Sequence, residues 1–106
     1  SGKTFFIGTD ALTFTLPTAT TSANVQYTFI NSGADGNNII TISPDAAAGV
    51  WGTITLAASV VDLGGVDNKD LINTKATAVT GNSATIICNG TDWFVTASTG
   101  IWAAEA

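Results

Sequence analysis

The sequence has no histidine, no arginine and no methionine, a single cysteine and only two prolines. Each gap removes a class of chemistry. Without histidine there is no imidazole base, no Ser–His or Cys–His pair and no common zinc site. Three scattered lysines stand against eight acidic residues, for a net charge of −5 and a pI near 4.1. Nucleic-acid binding needs clustered positive charge, so it is excluded as an expectation. Cys88 alone cannot close an intramolecular disulfide. Small secreted domains usually rely on several, which points to a reducing compartment or to assembly as the source of stability. No run approaches the roughly 20 apolar residues that cross a bilayer. The start, Ser1-Gly2-Lys3-Thr4, lacks the basic and apolar regions of a signal peptide. These gaps leave little for catalysis, and no enzyme, cofactor or membrane partner is expected.

What is present is threonine and a period of two. The 106 residues are enough for one core, so residues 1–106 are read as a single domain. Hydrophobic residues make up 45% and charged residues 10%, and 18 residues are Thr, which favours strands yet tolerates a wet face. In Leu12-Thr13-Phe14-Thr15-Leu16 the apolar set points one way and the threonines the other, the pattern of a half-buried strand. Similar alternation marks Lys3–Ile7, Val25–Phe29, Ile40–Ser43, Gly52–Leu56, Ala84–Cys88 and Trp93–Ala97, with a short last strand at Gly100–Ala103. Gly33–Asn38 reads as a hairpin loop, and Asn89-Gly90-Thr91-Asp92 as a second, clearer one. Residues 57–80 read as a long excursion with two short strands, at Val60-Val61 and Ala76–Val79, and with Asp67–Ile72 open to a single helical turn. The expected fold is all-β: a compact antiparallel sandwich or roll of about eight to ten short strands with little or no helix.

Four features could carry chemistry, and each has a plainer reading. Gly2-Lys3-Thr4 ends like a phosphate loop but runs into a strand, leaving no helix N-terminus to face a phosphate. Asp62, Asp67 and Asp70 form the densest acidic stretch; their spacing fits no EF-hand, and solvated loop carboxylates account for them. Cys88 falls in phase with Ala84 and Ile86 and reads as a small buried residue. Asn89-Gly90-Thr91 is formally a glycosylation sequon, but a hairpin turn is the stronger reading. Catalytic and metal residues are therefore expected to be none. The aromatics are more open. Trp93 lies in the most regular strand and reads as core, whereas Trp51 and Trp102 read as interface in preference to sugar stacking. Phe5 and Phe6 must point to opposite faces of one strand, so one of them faces a second sheet or another protein.

The order of segments resembles small β-rich virion proteins of tailed bacteriophages. The resemblance runs through Thr4-Phe5-Phe6 and Leu12–Pro17, Val25–Ile30, Ile40–Pro44 and Asp67–Ala78. It closes on Gly81–Ile86, Trp93 and Gly100-Ile101-Trp102-Ala103. The motifs are strand-and-turn patterns that cover nearly the whole chain and include no catalytic residue. The resemblance implies a head decoration (cement) protein that binds the major capsid protein on the outer capsid surface and stabilises the head. Such a protein is made in the host cytoplasm, resides in the virion and is often a homotrimer. Fibres of head or tail that bind a bacterial surface glycan are the alternative it allows; one domain's length without a shaft favours decoration. On this reading an N-terminal arm, residues 1–7, adds a strand to a capsid sheet edge. Lys3, Thr4, Phe5, Phe6, Trp51 and Trp102 are then the candidate capsid or subunit contacts.

Overall fold

The computed structural model describes residues 3–36, 38–56 and 59–105. Eleven short strands follow in order: β1 (Lys3–Ile7), β2 (Leu12–Thr15), β3 (Gln26–Asn31), β4 (Ile40–Ser43), β5 (Val50–Trp51), β6 (Thr53–Leu56), β7 (Ser59–Asp62), β8 (Leu71–Asn73), β9 (Ser83–Cys88), β10 (Trp93–Thr99) and β11 (Trp102–Ala104). Among the described residues helix is confined to two single 3₁₀ turns, at Ala19–Thr21 and Lys75–Thr77. The strands form a five-stranded sheet A, in the order β1-β3-β9-β10-β5, and a four-stranded sheet B, β11-β8-β4-β2. The hairpin β6-β7 stands apart from both sheets, with β6 leaning on β10 and β11. The all-β class read from the alternation is the one observed.

The pairing is mixed where an antiparallel fold was expected. β1 runs parallel to β3, β2 to β4, and β10 to β5. The reason lies in the path of the chain. β1, β2, β3 and β4 alternate between sheets A, B, A and B, so the chain reverses on crossing over and returns to each sheet in its earlier direction. For the same cause Gly33–Asn38 is not a hairpin loop: it joins β3 in one sheet to β4 in the other. Among the described residues only β6-β7 and β9-β10 are consecutive antiparallel pairs, and the second turns at Asn89–Asp92 as expected. There Asn89 Oδ1 accepts the backbone N–H groups of Thr91 and Asp92 at 2.9 Å, and Gly90 takes a φ of 96°.

Three further expectations change. Asp67–Ile72 is no helical turn, since β8 begins at Leu71, and Ala76–Val79 overlaps the second 3₁₀ turn in place of a strand. Residues 3–7 are no free arm: β1 pairs along its whole length with β3, from Lys3–Tyr27 to Ile7–Asn31. Ser1 and Gly2, like Asn37, Ala57, Ala58 and Ala106, lie outside the described residues.

The core lies between sheets A and B. Phe14 of β2 reaches across to Phe5 of β1 and Phe29 of β3, with ring centroids 4.7 and 4.8 Å apart. Tyr27 stacks on Trp93 at 5.9 Å, which ties β3 to β10 along the inner face. Beside the rings lies a buried polar cluster. Asn31 of β3 donates Nδ2 to Asn73 Oδ1 of β8 at 2.7 Å and to the Asn38 carbonyl at 3.0 Å. Asn38 donates to Asn31 Oδ1 and to the Ile7 carbonyl, and Asn73 to the Ile101 carbonyl. These bonds join the two sheets and fix how they sit, because a shift by one residue would strand several amide groups without partners.

Candidate interaction surface

The sandwich buries one face of sheet A and leaves the other outward. Each strand of sheet A contains two adjacent apolar residues: Phe5-Phe6, Phe29-Ile30, Val50-Trp51, Ile86-Ile87 and Trp93-Phe94. Neighbours in a strand point to opposite faces, so the first or second of each pair must face out. Phe29, Val50, Ile86 and Trp93 are buried and Phe5 packs on the core, while Phe6, Ile30, Trp51, Ile87 and Phe94 take the outer side.

Register arranges that outer side in three rows. Phe6, Ile30, Ser83 and Thr99 form the first; Thr4, Thr28, Thr85 and Ala97 the second; Gln26, Ile87, Phe94 and Trp51 the third. None of these side chains carries a charge. The hydroxyls satisfy one another sideways, Thr28 with Thr85 at 3.0 Å and Ser83 with Thr99 at 3.2 Å. Hydroxyls already paired cost less to take out of water than free ones. The face therefore suits dry contact with another surface. Phe6 is 71% exposed and Trp51 40%.

Trp51 is held in place. Its Nε1 donates to Asp92 Oδ2 at 3.2 Å, and Asp92 Oδ1 accepts the Gly49 backbone N–H at 2.9 Å. Beneath the ring runs the segment after β7, bonded to the chain around β5 by Leu63 N–H to Gly52, Gly65 N–H to Val50 and Asn68 N–H to Ala48. A Cβ on Gly65 would overlap the indole carbons Cε2, Cδ2 and Cζ2, and its φ of +64° also favours glycine. The ring lies flat on a residue that has no side chain to lift it.

The expected contact residues divide. Lys3 and Thr4 are exposed on β1, and Phe6 and Trp51 are among the most exposed large groups of the outer face. Phe5 is turned inward against Phe14, so it meets the second sheet. Trp102 has no exposed surface and donates Nε1 to the Thr99 carbonyl at 2.9 Å. It closes the core and is withdrawn from the contact set. Ile30, Ile87 and Phe94 join the face; their signal in the sequence was the doubled apolar pair.

The other singled-out groups have local duties. Asp62 accepts the Gly64 N–H, and Asp70 and Glu105 exchange bonds through Asp70 N–H to Glu105 Oε1 and Glu105 N–H to the Asp70 carbonyl. Among the described residues no three Cys, Asp or Glu side chains converge, and no pocket opens. Cys88 is buried, with its thiol on the Ala19 carbonyl. Asp35 accepts the N–H of Thr80 at 2.8 Å and its hydroxyl at 3.0 Å, and these bonds hold its carboxyl below the usual carboxylate range. No helix among the described residues is long and apolar enough to cross a membrane. Compared with family models, curated proteins and solved structures, the chain matches none.

Proposed function

We propose that this chain is a capsid decoration protein of a tailed bacteriophage, a non-enzymatic cement that docks on the major capsid protein at the outer surface of the head. One observation carries the reading furthest: all five strands of sheet A present an apolar residue outward, on a face without charge. Solvated sheet faces usually alternate to polar, often charged residues. A face kept apolar and threonine-rich suits burial against a protein, where charge is depleted at the centre and aromatics are enriched. The order of sequence segments, which resembles that of small virion proteins, supports the same reading. Three copies about a local symmetry axis, each gripping the lattice weakly, would hold through combined effective concentration.

The test is sedimentation of the purified chain with expanded and unexpanded heads of the cognate phage, alongside its mass by light scattering. The expected outcome is co-sedimentation with expanded heads and a mass of about three chains in solution or on the head. A chain that stays in the supernatant with both forms removes the proposal. A second reading, a fibre domain that grips a bacterial surface glycan, has the exposed Trp51 in its favour. It requires Trp fluorescence to change with added saccharide.

A further inference from the structure

Trp51 differs from the other two tryptophans in a way that burial alone does not explain. Trp93 and Trp102 have no exposed surface, whereas Trp51 is 40% exposed and yet fixed from below and from its edge. A surface side chain that is already ordered loses little freedom when a partner lands on it, which is how contact hot spots gain their effect. Gly65 covers one face of the indole, so the remaining exposure belongs to the opposite face and the rim.

The chemistry of that open face is set by Asp92. Its two carboxylate oxygens take neutral N–H donors, from Trp51 and Gly49, which places a carboxylate at the edge of the ring. An anion accepting from Nε1 also pushes electron density into the indole, which strengthens the attraction of its face for a cation. The chain has no arginine, three lysines and a net charge of −5, which suits a partner that brings positive charge. A sugar fits less well. Next to Trp51 in its row come Phe94 and Ile87, and the one amide of that row, Gln26, lies three strands away at about 14 Å.

We propose that Trp51 and Asp92 together receive one cationic side chain, arginine or lysine, presented by the protein on which the outer face of sheet A docks. This rests on the reading of that face as a protein-docking surface. The guanidinium or ammonium stacks on the indole and pairs with the carboxylate beside it, while Phe94, Ile87 and Phe6 supply the apolar surround.

The experiment is an NMR titration of the whole chain, following the three indole N–H signals, with Trp51→Phe to assign the one from Trp51. The probes are N-acetyl-arginine amide, N-acetyl-glycine amide and methyl glucoside. The expected result is a saturable shift of the Trp51 signal with the arginine probe only, weakened about threefold in Asp92→Asn and by added salt. Asn keeps one acceptor oxygen for the two N–H donors, so this variant removes the charge together with one of the two bonds. If its amide spectrum shows a general change, Trp51→Leu serves instead and must abolish a response followed on the neighbouring Phe94 amide. A flat arginine titration, or a response to the glucoside in its place, overturns the proposal. On expanded heads, Asp92→Asn binding as tightly as the parent chain overturns it and leaves decoration standing. A parent chain that ignores heads but takes the arginine probe removes decoration and keeps the cation site.

Discussion

The two sides of sheet A are both aromatic, and Lys3 at the start of β1 is the one charged residue in its strands, but only one side has a second sheet on it. Inside, Phe5 and Phe29 meet Phe14, and Tyr27 meets Trp93. Outside, Phe6, Ile87, Phe94 and Trp51 meet no sheet of this chain, and Trp51 rests on Gly65. Phe5 and Phe6 make the contrast within two residues, one half-buried among rings and the other 71% exposed. The lesson is that hydrophobicity assigns a residue to an interface between layers, and does not say whether the second layer belongs to the same chain. The buried asparagines sharpen this. Asn31, Asn38 and Asn73 fix the internal layer by directional bonds, and Asp92 gives the outer face its own directional group.

The largest effect expected follows from that contrast. Phe29→Ala removes a fully buried ring between the sheets and should cost about 3–5 kcal/mol. Phe6→Ala, on the adjacent strand but the other face, should stay within about 0.5 kcal/mol. Urea unfolding of both variants decides it; equal losses would mean that the outer face is packed after all. The head-binding assay should rank them in the opposite order, with Phe6→Ala weakened. Next in size is Asn73→Ala. It strands one hydrogen of Asn31 Nδ2 and the Ile101 carbonyl, both buried or nearly so, and should cost about 1–3 kcal/mol. Hydrogen exchange should show the loss in β3 and β8 together, since Asn73 joins them. Protection lost in β8 alone would show that the asparagines do not couple the sheets.

The strands were legible because threonine writes the period plainly. β2 and β4 alternate without interruption, and the Asn-Gly turn between β9 and β10 names its own geometry. Partner choice was not legible. Alternation says which face a residue takes, and nothing in β1 or β3 says that they will lie side by side and parallel. That depends on β2 crossing to sheet B. β5 is two residues long and too short to show a period. Asn38 fell in a stretch read as a hairpin loop because asparagine favours turns, and only the packing of the two sheets gives it and Asn31 buried partners. The outer face was half legible: Phe6 and Trp51 were named, while Trp102 was misplaced, because an uncharged stretch suits a core plug and an interface equally. The doubled apolar pairs carry the missing information, since a strand that is apolar at consecutive positions is apolar on both sides.

Charge enters this molecule at its margins, and there the smallest effect is expected. Asp35 accepts from the Thr80 N–H and shares the single Thr80 hydroxyl hydrogen with the Gly33 carbonyl at 2.6 Å, so loop 33–36 is clasped to the segment before β9. The bonds favour the ionised carboxyl and lower its pKa in the folded state, chiefly through the Thr80 backbone N–H. A carboxyl with a depressed folded pKa stabilises fully above its unfolded value and loses that contribution as pH falls through the folded one. Asp35→Asn should therefore unfold slightly earlier in urea at pH 7. The gap between variant and parent should close below the usual carboxylate value of 3.8. The group is fully exposed, so solvent and salt screen the interaction and the gap should narrow further at high ionic strength. A gap that persists unchanged at acid pH would mean that the clasp works through shape and hydrogen bonding without its charge. The side chains in the three outer rows of sheet A include no titratable group and should add no such pH dependence of their own.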